Sequence, residues 1–466
     1  MIASYRPALF SSLALLALAG IVSTVGCTVT TSSSEDAGPP TTGDAGASCA
    51  EDGVGTIELV VTGLPDDVGA KVKLTGPAGA TDATGSTTSA DRPAGSYTVT
   101  AERVSKADPI VRTLYEPKID TSSFCLAGEQ KQTVTVAYDA IASSNKLWTA
   151  NVNNASGQVL GFGAENLVAT GTFGASVAMK GAVGAGAGKA LAFDKDGNLW
   201  ALGPTTTDAP LSRFPAASLG TSGQKEPDRK LVPALGGCLP GPTALAFDPA
   251  GALWMTVACS DRVLRISPET LSASNKYTPE DGDFATGVES PRAVAFDKDG
   301  NMWVSGKDDL HRYPAASLAA DQAHVSDFAL RAKSQNGGSV LAPDALAFDK
   351  DGNLWVTNFG ANVIFKLTPS DLAVAGATKE IEPTIQISIP VGALVTSIAF
   401  DESGGLWLTY SQGKFARLDP AQLETSSDSG SPTVPNTIVT SDDVGSAGSL
   451  AFFPAPAGLP LYSRFE

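Results

Sequence analysis

The hydrophobic and polar positions of this chain repeat one phrase five times between residues 190 and 407. In each copy, a short apolar run is followed by a polar turn and a second apolar run that contains a tryptophan. The copies are ALAFDKDGNLW (190–200), ALAFDPAGALW (244–254), AVAFDKDGNMW (293–303), ALAFDKDGNLW (345–355) and SIAFDESGGLW (397–407). With Trp148 included, consecutive tryptophans lie 49 to 54 residues apart. A period of about 50 residues is typical of β-propellers, whose blades are four-stranded sheets.

Each repeat predicts four strands, named a to d from the axis outward. The run ALAF is strand a, DKDGN is a tight turn, and NLWVT is strand b. Strand c, such as VIFKL (363–367), ends in a phrase whose proline makes a turn and whose leucine packs back onto the sheet. That phrase recurs as RFPAASL (213–219), RISPETL (265–271), RYPAASL (312–318), KLTPSDL (366–372) and RLDPAQL (417–423). Strand d is clearest in TIQIS (384–388) and NTIVT (436–440).

The two ends of the repeat region complement each other. The first repeat, from 146, begins at strand b, while SLAFF (449–453) is an unattached strand a near the C-terminus. If this last strand joins the first blade, the ring closes and no sheet edge is left exposed. The sequence therefore predicts six blades over residues 145–466. The surplus segment LPLYSRF (459–465) leaves a seven-bladed ring as the alternative.

The repeated phrase resembles that of NHL-repeat propellers and of the gluconolactonase-like and streptogramin-lyase-like families, over residues 145–453. The phrase is a packing and turn motif, so the resemblance implies the fold without choosing among these families. Ahead of it, residues 50–140 alternate like an antiparallel β-domain, with strands expected at 56–62, 70–74, 95–103, 110–115 and 132–138. This segment resembles the immunoglobulin-like or transthyretin-like modules found beside bacterial propellers. The fold class is thus all-β: a six-bladed propeller with a small N-terminal β-sandwich, which we expect to be a spacer.

The N-terminus has the proportions of a secretory signal, with Arg6 ahead of an apolar run from 8 to 22. Thr24-Val25-Gly26-Cys27 resembles the bacterial lipobox, which implies lipidation of Cys27 and a signal peptide over 1–27. Residues 28–49 are rich in Ser, Thr, Gly and Pro and predict a disordered tether. We therefore expect a lipid-anchored protein of the cell envelope, with Thr28 favouring the outer membrane or cell surface.

The four remaining cysteines predict two disulfides in an exported chain. Sequence allows three pairings, and the domain boundaries favour Cys49 with Cys125 and Cys238 with Cys259. The formal net charge of −17 argues against nucleic acid and anionic lipid surfaces as partners. Membrane contact is expected through the N-terminal anchor alone.

Catalytic chemistry finds little support in the sequence. The DKDGN turns lack the twelfth-position Glu of a calcium-binding loop, so we interpret them as hairpin turns. A metal-dependent hydrolase of the gluconolactonase type needs several oxygen ligands, but the residues before strand a contain a single acid. These residues are Lys189, Thr243, Arg292, Asp344, Thr396 and Gly448. Glu289 and Asn358 could contribute from nearby loops.

Lyase chemistry would need a histidine near the channel, whereas His311 and His324 are expected at the periphery, where they also complete no Ser/His/Asp set. The cations of strand c, Arg213, Arg265, Arg312, Lys366 and Arg417, are expected to cover apolar surface.

What remains is a rigid ring that carries polar, mutually different b–c and d–a loops. Such loops are how propellers commonly recognise partners. The candidate residues on that face are Asn153, Asn154, Asp208, Asp261, Arg262, Arg292, Lys307, Asp308, Asp344, Asn358 and Lys414. The sequence favours a surface-anchored, non-catalytic binding module without metal or cofactor, whose partner is a protein, peptide or glycan. The alternative is an extracytoplasmic metal-dependent hydrolase or lyase, and a purely structural envelope protein stays open.

Overall fold

The computed structural model describes residues 49, 52–151, 157–181, 190–203, 211–235, 243–273, 275–318, 324–333, 343–358, 361–393, 395–410 and 413–462. The leader and most of the tether predicted at 28–49 lie outside these residues. None of the described helices is long and apolar enough to span a membrane. Residues from Cys49 onward group into one compact unit.

Nine strands between residues 54 and 140 form two sheets. They are β1 (Val54–Thr62), β2 (Lys71–Gly76), β3 (Gly79–Ala83), β4 (Thr87–Pro93), β5 (Gly95–Glu102), β6 (Val104–Lys106), β7 (Thr113–Ile119), β8 (Ser123–Leu126) and β9 (Lys131–Ala140). One sheet has the order β4-β1-β9-β7-β6 and the other β3-β2-β5-β8. The pairing of β1 with β9 is parallel. Alternate side chains of both sheets meet in one buried cluster, so the segment is a β-sandwich.

Most of the expected strands of the sandwich are confirmed, and one is misplaced. The strand expected at 110–115 runs instead from Thr113 to Ile119. Ile110 and Val111 are apolar for another reason, because they pack into a cluster with propeller residues such as Leu147 and Phe415. The strands β3, β4, β6 and β8 were not predicted, since they are short or polar. The Cys49–Cys125 disulfide forms as predicted.

Six further sheets form the blades of a propeller, numbered along the chain from residue 146. Strands a are Ala447–Phe453, Leu191–Phe193, Leu245–Phe247, Val294–Phe296, Pro343–Phe348 and Ile398–Phe400 for blades 1 to 6. Strands b are Lys146–Asn151, Leu199–Leu202, Leu253–Val257, Met302–Ser305, Leu354–Asn358 and Leu406–Thr409. Strands c are Gln158–Gly163, Leu211–Phe214, Arg262–Ile266, Leu310–Tyr313, Val363–Leu367 and Lys414–Leu418. Strands d are Val177–Lys180, Arg229–Pro233, Phe284–Thr286, Phe328–Ala332, Ile385–Ser388 and Thr437–Thr440. Each blade is antiparallel in the order a-b-c-d, so six blades are confirmed.

The ring closes as the sequence predicts. Strand a of blade 1, Ala447–Phe453, pairs antiparallel with strand b, Lys146–Asn151, from the other end of the propeller. The side chains of Leu450, Phe452 and Phe453 are each less than 10% exposed. Both chain ends of the ring are therefore held in one sheet.

Neighbouring blades are also joined at their outer edges, which the sequence did not reveal. The c–d connection of a blade contributes a short fifth strand to strand d of the preceding blade. These strands are Gly171–Thr172, Gly223–Gln224, Lys276–Tyr277, His324–Val325 and Thr378–Ile381. Each of them pairs in parallel with strand d of the preceding blade. Each connection therefore adds backbone hydrogen bonds between adjacent blades.

The proline phrase after strand c forms a single helical turn. These turns are Ala216–Ser218, Pro268–Leu271, Ala315–Leu318, Pro369–Leu372 and Pro420–Glu424, and the other short helices are Ala164–Asn166, Ala258–Ser260 and Asp281–Asp283. The leucine of the phrase is buried in every copy, at Leu219, Leu271, Leu318, Leu372 and Leu423. The expected packing of these leucines onto the sheet is confirmed.

Candidate functional site

The two faces of the propeller differ in what covers them. We name the face of the a–b turns, which include 194–198, 297–301 and 401–405, the hairpin face. We name the opposite face, formed by the b–c and d–a loops, the loop face. On the hairpin face, the amide of Ala457 donates to Glu402 Oε2 at 3.0 Å, and the Tyr462 hydroxyl donates to the Asp297 carbonyl at 2.5 Å. The C-terminal segment predicted as surplus thus lies across the hairpin face.

The sandwich also contacts the hairpin face. The Glu402 amide donates to the Ile110 carbonyl at 2.9 Å, and Arg112 Nε lies 3.3 Å from Glu402 Oε2. Arg112 Nη2 donates to the Ala455 carbonyl at 2.8 Å, which joins the sandwich to the C-terminal segment. Because the chain covers part of the hairpin face itself, the loop face is the better candidate for a binding surface.

The aspartates of the repeated turns act within the fold. Asp194 Oδ1 accepts from the amides of Asp196 and Asn198, and its Oδ2 accepts from Trp200 Nε1 at 2.9 Å. The same indole-to-aspartate bond recurs in the next four blades, at Trp254, Trp303, Trp355 and Trp407. The turn role that the sequence predicts is confirmed, because these carboxylates are occupied by hairpin amides and indole N–H groups.

The d–a loop of blade 4, residues 287–292, is the centre of a polar arc on the loop face. Asp261 of blade 3 accepts from the Ser290 amide at 2.7 Å. Lys307 of blade 4 donates to the Glu289 carboxylate at 3.0 Å, and this bond raises the pKa of the Lys307 ammonium. Both Lys307 and Glu289 are more than half exposed. Of the candidate residues, Arg292 therefore lies on this loop, and Asp261 and Lys307 contact it.

Arg292 extends the arc to blade 5. Its Nη1 lies 2.5 Å from Asp344 Oδ1, and the Asp344 side chain is 14% exposed against 39% for Arg292. Asp344 Oδ2 is buried and has no hydrogen-bond partner. Arg292 lies two positions before strand a of blade 4, and Asp344 lies in the first part of strand a of blade 5, so this pair lies at the loop-face end of these two strands. We call the set Asp261, Glu289, Ser290, Arg292, Lys307 and Asp344 the polar arc.

The other loop-face candidates that the structure describes lie outside the polar arc. Arg262 stacks over the Phe284 ring at 4.9 Å, Asp308 is half-buried, and Asn358 is buried at the end of strand b. Lys414 begins strand c of blade 6. The remaining candidates, Asn153, Asn154 and Asp208, lie outside the described residues. Ser290 was missed because it contributes a backbone amide, for which a sequence carries no signal.

Cys259 is disulfide-bonded. It lies in the short helix Ala258–Ser260 after strand b of blade 3. Its predicted partner, Cys238, lies outside the described residues, so that pairing stays a prediction.

A divalent metal finds no ready ligand set among the described residues. No group of three or more His, Cys, Asp or Glu side chains is close enough there to hold one. At the strand a starts, the acid Asp344 is paired with Arg292, and Thr243 donates its hydroxyl to the Arg292 carbonyl at 2.8 Å. This donor set suits hydrogen bonding better than coordination of a hard cation.

The cations of strand c lie opposite the repeated tryptophans. Arg213 faces Trp200 and forms a two-bond pair with Asp228, which lowers the pKa of that carboxyl. Arg312 pairs with Asp327 in the same way. The expectation that these side chains cover apolar surface is confirmed for Arg213, which lies 5.9 Å from the Trp200 ring centroid, and for Lys366, which lies 5.5 Å from that of Trp355.

Both histidines are peripheral, as predicted, but the expectation that they complete no Ser/His/Asp set is wrong. His311 Nε2 lies 2.9 Å from Asp309 Oδ1, and His311 Nδ1 lies 3.2 Å from Ser326 Oγ. The hydrogen bond from His311 lowers the pKa of Asp309. Pairing of strand c with strand d brings these residues together across 15 positions, which no local motif announces. Ser326 does not line the central channel, and we interpret the set as a link between strands because a catalytic triad acts in a cleft.

His324 has a packing role in the outer strand of blade 3. It is 1% exposed and packs edge-on against Trp254 at 5.1 Å. Burial lowers the pKa of its imidazole, which favours the neutral form. Neither histidine therefore meets the geometry that a lyase at the channel would need.

No protein-family model matches this chain, and no curated protein matches it. Among solved structures, a streptogramin B lyase is 14% identical with a TM-score of 0.34, and the match covers 50% of this chain and 65% of the lyase. The chain thus spans less than two thirds of that lyase. A virginiamycin B lyase from Staphylococcus aureus is 15% identical with a TM-score of 0.31, and the match covers 50% of this chain and 67% of that one. A functionally unknown protein from Desulfotomaculum acetoxidans is 10% identical with a TM-score of 0.39, and the match covers 75% of this chain and 95% of that one. At these values the likeness carries no inference about activity, and the assignment of a six-bladed β-propeller rests on the chain's own sheets.

Proposed function

We propose that this protein is a surface-anchored, non-catalytic binding module of the bacterial cell envelope, and that its loop face recognises a polar partner. The polar arc is the observation that carries the proposal. It combines acidic, basic and hydrogen-bonding groups from three adjacent blades. These groups lie on the face opposite to the hairpin face, which the sandwich and the C-terminal segment contact. A protein, a peptide or a glycan with complementary charges and hydroxyl groups fits such a surface.

The rigid framework under the arc supports recognition over catalysis. The d–a loop of blade 4 is fixed by a side chain from each of two blades, since Asp261 holds the Ser290 amide and Lys307 holds Glu289. The Lys307 amide also donates to the Glu289 carbonyl at 2.8 Å. A surface that is ordered before it binds loses less conformational entropy on binding. The arc also lacks an acid/base pair of the kind that hydrolysis requires, because Asp344 is tied to Arg292.

Reversing the Lys307–Glu289 pair tests the loop face. The double variant Glu289→Lys with Lys307→Glu keeps the ion pair but exchanges its two charges. We expect it to weaken binding to the partner about tenfold, because each exchanged charge now faces a like charge on the partner. The measurement is binding of the purified chain to a glycan array and to isolated envelope fractions, with affinity determined for each positive component.

The matched control reverses an exposed pair on the hairpin face. Lys350 Nζ lies 3.1 Å from Asp351 Oδ1, so Lys350→Glu with Asp351→Lys makes the same change there. This control should bind like the unchanged chain. Equal affinities for the two double variants and the unchanged chain would contradict recognition by the loop face.

The lipid anchor is the second part of the proposal, supported by the Cys27 phrase and the tether that follows it. Cys27→Ser should abolish incorporation of labelled fatty acid and move the protein from the membrane fraction to the soluble exported fraction. The physical reason is that acyl chains supply about 0.8 kcal/mol of membrane affinity per buried methylene. Retention of Cys27→Ser in the membrane fraction would argue against the anchor without bearing on the loop face.

A further inference from the structure

The central channel of the propeller has a lining unlike that of the loop face. The inner part of each strand a contributes a triplet of one aliphatic residue, one alanine and one phenylalanine. The triplets are Leu191–Phe193, Leu245–Phe247, Val294–Phe296, Leu346–Phe348, Ile398–Phe400 and Leu450–Phe452. Among the residues that the structure describes, no charged side chain lines this cavity, whose volume is about 200 Å³. The channel is therefore an apolar space at the axis of the molecule.

The six phenylalanine side chains that line the channel are nearly, but not completely, buried. The exposed fractions of Phe193, Phe247, Phe296, Phe348, Phe400 and Phe452 all lie between 4% and 8%. All six line the cavity, so an occupant would contact their rings. Aromatic rings pack favourably against one another, either edge to face or offset-stacked.

The C-terminal segment forms the floor of the channel on the hairpin face. Residues Ala455, Pro456 and Leu459 to Tyr462 complete the lining. Leu459 is 7% exposed, and Tyr462 packs edge-on against Phe296 with ring centroids 6.3 Å apart. The Tyr462 hydroxyl, which is the polar side-chain group in this lining, is already bonded to the Asp297 carbonyl.

Polar groups in the channel come from the backbone. Strand a is the terminal strand of its sheet in all six blades. One row of its N–H and C=O groups therefore has no partner strand and faces the axis. Some of these groups bond to neighbouring blades, as when the Leu191 amide donates to Ser449 Oγ at 2.6 Å. Edge groups that make no such bond can donate to or accept from an occupant.

From this lining we propose that the channel binds a small, uncharged molecule that combines an aromatic ring with a hydroxyl group. A dry cavity of about 150 Å³ lined by aliphatic and aromatic side chains is large enough for benzene, so the channel has room for a ring with one or two further atoms. The ring packs against the phenylalanine rings, and the hydroxyl bonds to a backbone group at the axial edge of a strand a. A carboxylate or ammonium group is excluded, because a buried charge without a counter-ion carries a large desolvation cost. This site is separate from the polar arc.

Benzyl alcohol and benzoate form the test pair, since they share the ring and differ in charge. With the full chain, we expect benzyl alcohol to raise the melting temperature and to give a binding isotherm in calorimetry. Benzoate at equal concentration should do neither. Ala347→Leu narrows the channel and should weaken benzyl alcohol binding about tenfold or more, because extra methylenes do not fit a packed site.

The control for the substitution is Ala375→Leu, which makes the same change at an exposed position outside the channel. It should bind benzyl alcohol like the unchanged chain. Circular dichroism must show that Ala347→Leu is folded, and Ala295→Val is the milder variant if it is not. The proposal would be overturned by no binding to the folded chain, by equal binding of benzoate, or by crystals soaked in benzyl alcohol that show water alone in the channel.

The channel and the loop face can fail separately. The reversed Lys307–Glu289 pair should leave benzyl alcohol binding unchanged, and Ala347→Leu should leave partner binding unchanged. Loss of benzyl alcohol binding in the reversed-pair variant would contradict the assignment of the site to the channel.

Discussion

A chain that ends at Ser446 should lose the propeller fold altogether. This truncation removes strand a of blade 1, and with it Leu450, Phe452 and Phe453, which are buried against blades 1, 2 and 6. Burial of three such side chains is worth about 4.5 to 9 kcal/mol, which is comparable to the whole free energy of unfolding of a typical domain at about 5 to 15 kcal/mol. The cut also exposes the edge of strand b, Lys146–Asn151.

Thermal unfolding followed by near-ultraviolet circular dichroism measures this effect, because the buried tryptophans report on packing. The matched control ends at Pro456, which keeps the closing strand and removes the part of the channel floor formed by Leu459 to Tyr462. We expect the control to unfold cooperatively at a lower temperature, since it loses Leu459 and Tyr462. A cooperative transition in the chain that ends at Ser446 would mean that closure of the ring is dispensable.

Asp401→Ala should be the most destabilising of the turn substitutions. Asp401 Oδ2 accepts from Trp407 Nε1 at 3.0 Å and from Arg417 Nε at 2.5 Å, and Oδ1 accepts from the Gly405 amide at 2.8 Å. Its side chain is fully buried, and that of Arg417 is 10% exposed. Removing one partner of a buried ion pair costs about 3 to 5 kcal/mol. Arg417 keeps a second partner in Asp419, which places the expected loss near the lower end.

The matched control is Asp349→Ala in blade 5. Asp349 accepts from Trp355 Nε1 at 3.0 Å and from Asn353, while the cation of its blade, Lys366, is paired with Glu424. Its loss should cost about 1 to 3 kcal/mol, which is the range for leaving a buried hydrogen-bond donor without its acceptor. Urea unfolding gives both values. Equal losses would show that the bond to Arg417 adds nothing to the turn.

Blade 1 departs from the repeat in a way that the ring closure explains. Its strand a carries Phe453 where the other blades carry the turn aspartate, and Trp148 Nε1 is buried without a partner. Phe453 instead stacks on Phe193 of blade 2 at 4.6 Å. The closing blade therefore exchanges an indole hydrogen bond for aromatic packing between blades. The sequence already marks this position, since SLAFF lacks the aspartate of the other five copies.

Local periodicity along the chain was enough to predict the blades, their turns and the closure of the ring. The spacing of the tryptophans gave the number of blades, the aspartate and glycine of each turn gave the hairpins, and the unattached SLAFF strand gave the closure. In the sandwich, alternation located the longer strands β1, β5 and β9. It failed at Ile110 and Val111, whose burial comes from contact with the propeller.

Which polar residues act together depends on how segments far apart in the chain pack against each other. The polar arc joins residues from blades 3, 4 and 5, and the channel joins triplets from all six blades, so no segment contains either site. The contact of His311 with Ser326 was not predicted either, because these two residues lie on different segments that the fold brings together. A sequence records the pattern along one chain, whereas a site depends on which distant segments the fold brings within hydrogen-bond distance. The repeat therefore predicts the blades of the ring, and the arrangement of the blades in the closed ring brings together the residues of the polar arc and of the channel.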